Sequence, residues 1–322
     1  MPPDRSLADR VIAGDPRAVA RAISLVEAEG PEAASLVRRL FGQTGRATLI
    51  GVTGAPGTGK STLVDRLIGV IRRNERRVGV LAVDPTSPFS GGAMLGDRVR
   101  MSGHGADPGV FIRSMATRGQ LGGLSRTTAD AAIVLDAAGM EVVLVETVGV
   151  GQDEVEIAAT ADVTIVLLAP GGGDELQALK AGVMEIGDLF VVNKADLPGA
   201  DRAVQAVAAS LALREPGRGD WQPPVLRTAA VSGSGVDELW REIERFVDWS
   251  ALRRRTRRRT REGARLRDLL ARRFLRHVDE VLADGTFARA VDAVSARELD
   301  PYSAVADLME QAISRRSGSD RQ

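Results

Sequence analysis

The sequence predicts an α/β fold in which a mostly parallel, doubly wound sheet is flanked by helices. Short apolar runs alternate along the chain with helical segments, which is the order of elements expected for such a sheet. The runs are continuously apolar rather than alternating with polar residues, as is typical of strands covered on both faces. The predicted strands comprise residues 47–53, 78–84, 110–114, 141–146, 163–169, 189–193 and 225–230.

Helical segments are predicted on both sides of this central region. Near the N-terminus, Asp15 is a favourable helix cap and Pro16 suits the first helical position. After residue 250, apolar residues recur at helical spacing behind an arginine-rich start, which predicts a long amphipathic helix. We therefore expect an N-terminal helical segment over residues 1–45, a nucleotide-binding α/β domain over 46–249 and a C-terminal helical arm over 250–322.

The composition excludes several classes of site. The 322 residues include 43 Lys plus Arg and 43 Asp plus Glu, so no net field draws the chain to nucleic acid or membranes. The chain has no cysteine and two histidines, which excludes disulfides, thiolate metal sites and three-histidine zinc sites. No signal peptide and no membrane-spanning run is recognisable. We expect a cytoplasmic protein with neither nucleic-acid nor membrane partners.

The most specific motif is a glycine-rich loop between a predicted strand and a predicted helix. Its sequence, GAPGTGKS, is the complete P-loop pattern in the proper context. The glycines let backbone amides turn toward phosphates, Lys60 reaches the β- and γ-phosphates, and the Ser61 hydroxyl binds Mg²⁺. The predicted phosphate-binding residues are Gly54, Ala55, Pro56, Gly57, Thr58, Gly59, Lys60, Ser61 and Thr62.

A second motif, NKAD, directly follows the LFVV run of the predicted strand 189–193 and identifies the base of the nucleotide. An ionised carboxylate only accepts hydrogen bonds, and guanine offers two donors on one edge, its N1–H and its 2-amino group. Asp196 therefore selects guanine, because adenine would leave the carboxylate unpaired. The Lys194 stem packs over the base. The predicted nucleotide is GTP or GDP, with Asn193, Lys194 and Asp196 at the base.

Acidic residues at the predicted strand-end face are the candidate metal ligands. Glu146 begins ETVG at the end of strand 141–146, where most GTPases have DxxG. Asp84 ends strand 78–84, and Asp97 lies farther along the same connection. Mg²⁺ keeps several waters and binds few protein oxygens, so not every acid must touch it. We predict a Mg²⁺ site at Ser61, Asp84, Asp97 and Glu146, with Lys60 and Glu146 as catalytic residues.

Two further features leave alternatives open. The turn around Ser232 and Gly233 follows the last predicted strand, where GTPases keep a loop that contacts the guanine O6 by backbone amides. A plain strand-to-helix turn is an equally good interpretation. Gln152 either orients the attacking water or makes a structural hydrogen bond.

Five stretches together resemble the MeaB/ArgK family of P-loop GTPases, which includes the human methylmalonic-aciduria type A protein. They are VDPTSPFSGGAMLGDRVRM, VFIRSMATRGQLGGLSRTT, VVLVETVGVGQDEVE, PGGGDELQALKAG and VNKADL. The resemblance implies a P-loop NTPase fold with a C-terminal arm that forms a homodimer. It also implies a GTPase, slow without its partner, that acts as a chaperone of adenosylcobalamin-dependent methylmalonyl-CoA mutase or a related acyl-CoA mutase.

The same resemblance assigns residues to roles. It places the phosphate and magnesium positions on Lys60, Ser61, Asp84, Asp97 and Glu146, and the guanine positions on Asn193, Lys194 and Asp196. It also implies a loop over residues 171–182 that senses the mutase. Asp153 and Gln120 depart from the family pattern and affect partner contacts rather than the nucleotide motifs. The partner-sensing residues are Asp174, Glu175, Gln177 and Lys180.

Three other functions are less consistent with the sequence. Some members of the family are named as arginine/ornithine transport-system kinases. Such a kinase needs a pocket and a general base for the group that accepts the phosphate, and the NKAD motif argues against ATP as the nucleotide. A nickel-inserting GTPase needs cysteine and histidine ligands. An RNA- or membrane-binding GTPase would use the arginine run 253–261, but no aromatic residue interleaves with it.

Overall fold

The computed structural model divides the chain into two compact units, Met1–Arg255 and Thr256–Gln322. The structure describes residues 6–84, 101–116, 123–147, 153–171, 183–213, 220–251, 254–282 and 285–319.

A seven-stranded sheet forms the centre of the first unit, in the order β3-β2-β4-β1-β5-β6-β7. Every pairing between these strands is parallel, which confirms the predicted fold class. The predicted strand 225–230 ends earlier, at Arg227. The next residue, Thr228, donates its hydroxyl to the side chain of Asn193, and the chain turns there. The strands are β1 (Thr48–Thr53), β2 (Val78–Asp84), β3 (Val110–Ala116), β4 (Val142–Glu146), β5 (Val163–Leu168), β6 (Leu189–Val192) and β7 (Val225–Arg227).

Helices precede, connect and follow the strands. Two short 3₁₀ turns, Phe41–Gln43 and Ser102–His104, complete the described elements. The helices of the first unit are α1 (Leu7–Ile12), α2 (Pro16–Ala28), α3 (Pro31–Leu40), α4 (Lys60–Arg73), α5 (Gly123–Ala137), α6 (Asp153–Thr160), α7 (Val183–Ile186), α8 (Ala200–Ala212) and α9 (Val236–Ala251). The remaining helices are α10 (Arg254–Val281), α11 (Thr286–Ser295) and α12 (Pro301–Ser319).

The N-terminal helices begin as the sequence predicts and cover one face of the sheet. The Asp15 carboxylate accepts hydrogen bonds from the N–H groups of Arg17 and Ala18, with Pro16 at the first helical position. Ile23 and Leu40 are fully buried in a core shared with α5 and β4. The segment between α3 and β1 is also fixed, because the Asp136 carboxylate accepts hydrogen bonds from three of its consecutive amides.

Helices α4 and α9 cover the opposite face. Their apolar side chains, including Leu67 and Phe246, pack with residues of β1, β2, β4, β5 and β6 in a second buried core. Two ion pairs to α9 reinforce this face: Arg73 at the end of α4 pairs with Asp237 at 2.8 Å, and Arg76, just after α4, pairs with Glu244 at 3.7 Å. The helix that begins at the P-loop is therefore held rigidly against the sheet.

The second unit consists of helices whose apolar side chains are only partly covered. Leu282, Ala304 and Ala312 are buried. On α10, by contrast, Leu266 and Leu270 are 65% and 70% exposed, although the helix has the predicted amphipathic pattern. In the described parts of the chain, no helix combines the length and apolar character that crossing a membrane requires.

Candidate nucleotide-binding site

The P-loop connects β1 to α4 at the carboxyl edge of the sheet, the edge where parallel α/β sheets bind ligands. At two positions of this loop, the backbone conformation and the close approach of neighbouring atoms require glycine. Gly54 has φ +144°, and a Cβ there would overlap the carbonyl oxygen of Leu167. Gly59 has φ +94°, and a Cβ there would overlap the side-chain amide of Asn193. Both positions lie where only glycine fits without strain, which leaves the loop wrapped around the N-terminus of α4.

Lys60 lies inside this loop. Its Nζ donates hydrogen bonds to the carbonyl oxygens of Gly54 and Ala55, at 2.7 and 3.1 Å. The residue is buried, although its long side chain carries a charge. The positive charge is thus placed at the concave side of the loop, where the phosphates of a nucleotide would lie.

The N-terminus of α4 is joined to the end of β4 by a buried hydrogen bond. The Ser61 hydroxyl donates to Glu146 Oε1 at 2.6 Å. Immediately beyond, Thr147 Oγ1 donates to Thr53 Oγ1 at 3.0 Å, and its N–H donates to the carbonyl of Val52. The start of the ETVG motif is therefore fixed to the strand that leads into the P-loop.

Asn193 joins the phosphate and base motifs. Its Nδ2 donates to the carbonyl oxygen of Thr58 in the P-loop at 2.8 Å. Its Oδ1 accepts two hydrogen bonds of 3.0 Å, from the hydroxyl of Thr228 and the N–H of Ala230. Asn193 is 2% exposed, so all three contacts are shielded from water. A single amide thus links β6, the P-loop and the turn after β7.

The two residues of NKAD predicted to contact the base lie beside this amide. Lys194 has φ +56°, an uncommon left-handed conformation for a residue with a side chain. The chain then turns, with the Ala195 N–H donating to the carbonyl of Thr228. Asp196 follows in this turn and is exposed. The carboxylate is therefore presented to solvent at the edge of the sheet where the P-loop lies.

Ser232 and Gly233 lie in the turn between β7 and α9, at the same edge. Their N–H groups donate to the carbonyl of Ala229 at 3.1 and 2.9 Å. An isolated antiparallel bridge between Ala229 and Ser234 closes the turn. The amides of these two predicted base-binding residues are thus used within the turn, whereas the Val231 N–H donates to no acceptor among the described residues.

The predicted metal ligands are described only in part. Ser61 and Glu146 meet, and the backbone of Asp84 ends β2, the neighbour of β4 in the sheet. Within the described ranges, no cluster of three or more acidic or histidine side chains is arranged to hold a metal. Asp97, Gln120, Gln152 and the partner-sensing residues Asp174, Glu175, Gln177 and Lys180 lie outside the described residues.

Comparison with known proteins agrees with this geometry. The family described as methylmalonyl-CoA mutase-associated GTPase MeaB matches residues 19–283. The chain belongs to the MeaB family. It is accordingly a GTPase, which binds guanine nucleotides and hydrolyses GTP to GDP and phosphate, and the resemblance found in the sequence is confirmed.

Relatives of this MeaB-family GTPase match most of its length. A Pyrococcus horikoshii protein named as a GTPase is 46% identical over 320 residues, 98% of this chain and 100% of the relative. The mouse mitochondrial methylmalonic aciduria type A homolog is 41% identical over 202 residues, 61% of this chain and 48% of the relative. A crystal structure of a LAO/AO transport system kinase superposes with a TM-score of 0.71 at 28% identity, covering 94% of this chain and 95% of that one.

Several residues that organise the site are not evident from the sequence. Thr53 and Thr147 read as ordinary strand-end residues, and Thr228 reads as a polar position in an apolar run. Arg66 is one of many helical arginines, yet it contacts the turn after β7. The strand order brings these residues together, and that order is not encoded in any one motif.

Proposed function

We propose that this GTPase binds its nucleotide at the P-loop and NKAD, and acts as a chaperone of an adenosylcobalamin-dependent acyl-CoA mutase. The hydrogen bonds of Asn193 support the nucleotide site, because they fix the predicted base motif to the predicted phosphate loop. The name of the matching family, methylmalonyl-CoA mutase-associated GTPase, supports the chaperone role. The superposition on the structure named a LAO/AO transport system kinase supports the fold alone.

The buried oxygens at the mouth of the P-loop fit Mg²⁺. Ser61 Oγ and Glu146 Oε1 lie 2.6 Å apart, and a hydroxyl and a carboxylate are hard oxygen ligands. Mg²⁺ binds through one or two such groups together with phosphate oxygens and waters. Ser61 and Glu146 would hold the ion, and when bound it neutralises charge on the β- and γ-phosphates.

The chain's own residues supply position and charge. Lys60 has a flexible stem, so its ammonium needs only side-chain rotations to pass from the loop carbonyls to a phosphate oxygen. The N-terminus of α4 directs backbone amides at the same phosphates. Phosphoryl transfer depends almost entirely on positioning and charge stabilisation, so these groups suit hydrolysis that is slow until a partner completes the site.

The mutase is expected to complete that site through the loop 171–182. We expect purified mutase to accelerate GTP turnover by wild-type protein, and Lys180→Ala to reduce this acceleration about tenfold while leaving the intrinsic rate within about twofold. The physical reason is that a switch must contact its partner differently in its GTP and GDP states. The measurement is phosphate release with and without mutase for both proteins.

Two controls separate the possible causes. Asp201→Asn changes an exposed charge on α8 and should leave mutase acceleration unchanged. Co-elution of the mutase should differ between a GTP analogue and GDP. No acceleration of the wild type by any adenosylcobalamin-dependent acyl-CoA mutase would remove the chaperone assignment, and loss of the intrinsic rate in Lys180→Ala would place that lysine in the catalytic site.

We also propose that the C-terminal arm forms a homodimer. Leu266, Leu270 and Phe274 recur every four residues on α10 and are 65%, 70% and 38% exposed. Such spacing places them on one helix face. Phe287 on α11 and Val305 on α12 are 55% exposed each. This much apolar surface on one small unit is typical of an interface with another protein, and a second copy is the partner that the family resemblance implies.

The dimer has a direct test. Replacing Leu266, Leu270 and Phe274 with glutamine should convert the protein to monomers in light scattering, because the apolar area that drives association is removed. Leu213→Gln is the matched control, since Leu213 is 85% exposed but lies in the first unit. A dimer that survives the triple replacement would place the interface elsewhere.

A further inference from the structure

An arginine of α4 holds the turn that follows β7. Arg66 lies six residues after Lys60, on the helix that begins at the P-loop. Its Nε donates to the carbonyl oxygen of Ala230 at 3.0 Å, and its Nη2 donates to the carbonyl oxygen of Val231 at 2.7 Å. One rigid guanidinium therefore donates hydrogen bonds to two successive backbone carbonyls. A lysine ammonium, which is a compact charge on a flexible stem, would not hold both carbonyls in the same way.

The same turn is held from the other side by Asn193. Its Oδ1 accepts from the Ala230 N–H at 3.0 Å and from the Thr228 hydroxyl at 3.0 Å. Ala230 is thus fixed through its N–H by a residue of the base motif and through its carbonyl by Arg66. The peptide that follows has little freedom to rotate.

Because the peptide group is planar, these hydrogen bonds also fix the direction of the Val231 N–H. In a trans peptide, the carbonyl of one residue and the N–H of the next point in opposite directions. Because the Ala230 carbonyl points at Arg66, the Val231 N–H points away from α4. Within the part of the chain that the structure describes, that N–H donates to no protein acceptor, whereas the neighbouring amides of Ser232 and Gly233 donate to Ala229.

We propose that Arg66 is a positioning residue for base recognition, which orients the Val231 N–H as a hydrogen-bond donor to the 6-oxo group of guanine. This inference rests on the proposed nucleotide site. Asp196 would accept from N1–H and the 2-amino group, and the Val231 amide would donate to the oxygen beside them. The two groups contact different atoms of the base, so the effect of Arg66 on the 6-oxo contact is measured by comparing how much Arg66→Ala weakens nucleotides with and without that oxygen.

The test uses three diphosphates whose bases differ at positions 1, 2 and 6. GDP and IDP both carry the 6-oxo group and N1–H, and 2-aminopurine riboside 5′-diphosphate lacks both. Wild-type protein therefore binds the 2-aminopurine nucleotide more weakly at Asp196 as well, and the informative quantity is how much Arg66→Ala changes each affinity. Arg66→Ala should weaken binding of GDP and IDP about tenfold, equivalent to about 1.4 kcal/mol. Binding of the 2-aminopurine nucleotide should change less than about twofold. Arg66→Lys should fall between wild type and Arg66→Ala, because an ammonium reaches one of the two carbonyls.

The matched control is Arg73→Ala. Arg73 lies on the same helix and makes an exposed ion pair with the Asp237 side chain on α9, and among the described residues it donates to no peptide group of the turn, so its loss should leave all three affinities unchanged. Equal weakening of all three nucleotides by Arg66→Ala would show a purely structural role and overturn the proposal, as would no change with any of them. Failure of the nucleotide site itself looks different, since wild-type protein would then not prefer GDP over the 2-aminopurine nucleotide.

Discussion

Replacing Asn193 with alanine should weaken GDP binding by about a hundredfold or more and lower the free energy of unfolding by about 3 kcal/mol or more. The replacement leaves three groups without their buried partner, namely the Thr58 carbonyl, the Thr228 hydroxyl and the Ala230 N–H. Each buried polar group that loses its partner costs about 1 to 3 kcal/mol. The P-loop and the turn after β7 would also lose the group that sets their separation.

A short series of variants identifies which contact matters. Asn193→Asp keeps the acceptor for Thr228 and Ala230 but cannot donate to Thr58 when ionised, so it isolates the link to the P-loop. Thr228→Val removes one donor only and should cost less. Denaturant titration and GDP titration on the same samples provide both quantities.

The matched control for this series is Asn74→Ala. Asn74 also donates its amide to a backbone carbonyl, that of Val70 at 2.9 Å, but it is exposed at the end of α4. Its loss should stay within about 0.5 kcal/mol, as is usual for surface changes. If Asn193→Ala were no worse than Asn74→Ala, the bridging role of Asn193 would be wrong.

The fold could be predicted from the sequence because its signals are local. Continuous apolar runs mark strands buried on both faces, and Asp15 with Pro16 marks a helix start, so strand and helix positions follow from short windows. The P-loop could be predicted for the same reason, since glycines at fixed spacing carry its geometry.

The contacts within the site could not be predicted, because they join distant segments. Asn193 was predicted as a base residue, but its bond to Thr58 depends on β6 lying two strands from β1. Arg66 was indistinguishable from other exposed helical arginines until α4 was packed beside the turn after β7. The end of β7 at Arg227 also could not be predicted, because it depends on a contact between distant segments: the next residue, Thr228, is hydrogen-bonded to Asn193.

Replacing Asp196 with asparagine should reverse the choice of base. Asp196 is exposed beside the left-handed Lys194, on the turn that Ala195 fixes to Thr228, so the backbone that carries the carboxylate is fixed before a base arrives. A carboxylate accepts from the N1–H and 2-amino groups of guanine, whereas an asparagine amide also donates. The 2-oxo group of xanthine is an acceptor and therefore matches the amide. Mismatched polar groups in such a site cost several orders of magnitude in selectivity.

The most direct measurement is the ratio of GDP to XDP affinity for wild-type protein and Asp196→Asn. Wild-type protein should prefer GDP by about a thousandfold, and the variant should prefer XDP, with selectivity governed by the polar match at one base edge. Asp201→Asn, a surface carboxylate on the following helix that pairs with Arg227, should leave the wild-type ratio unchanged. An Asp196→Asn variant that still prefers GDP would contradict the assignment of NKAD as the guanine-reading site.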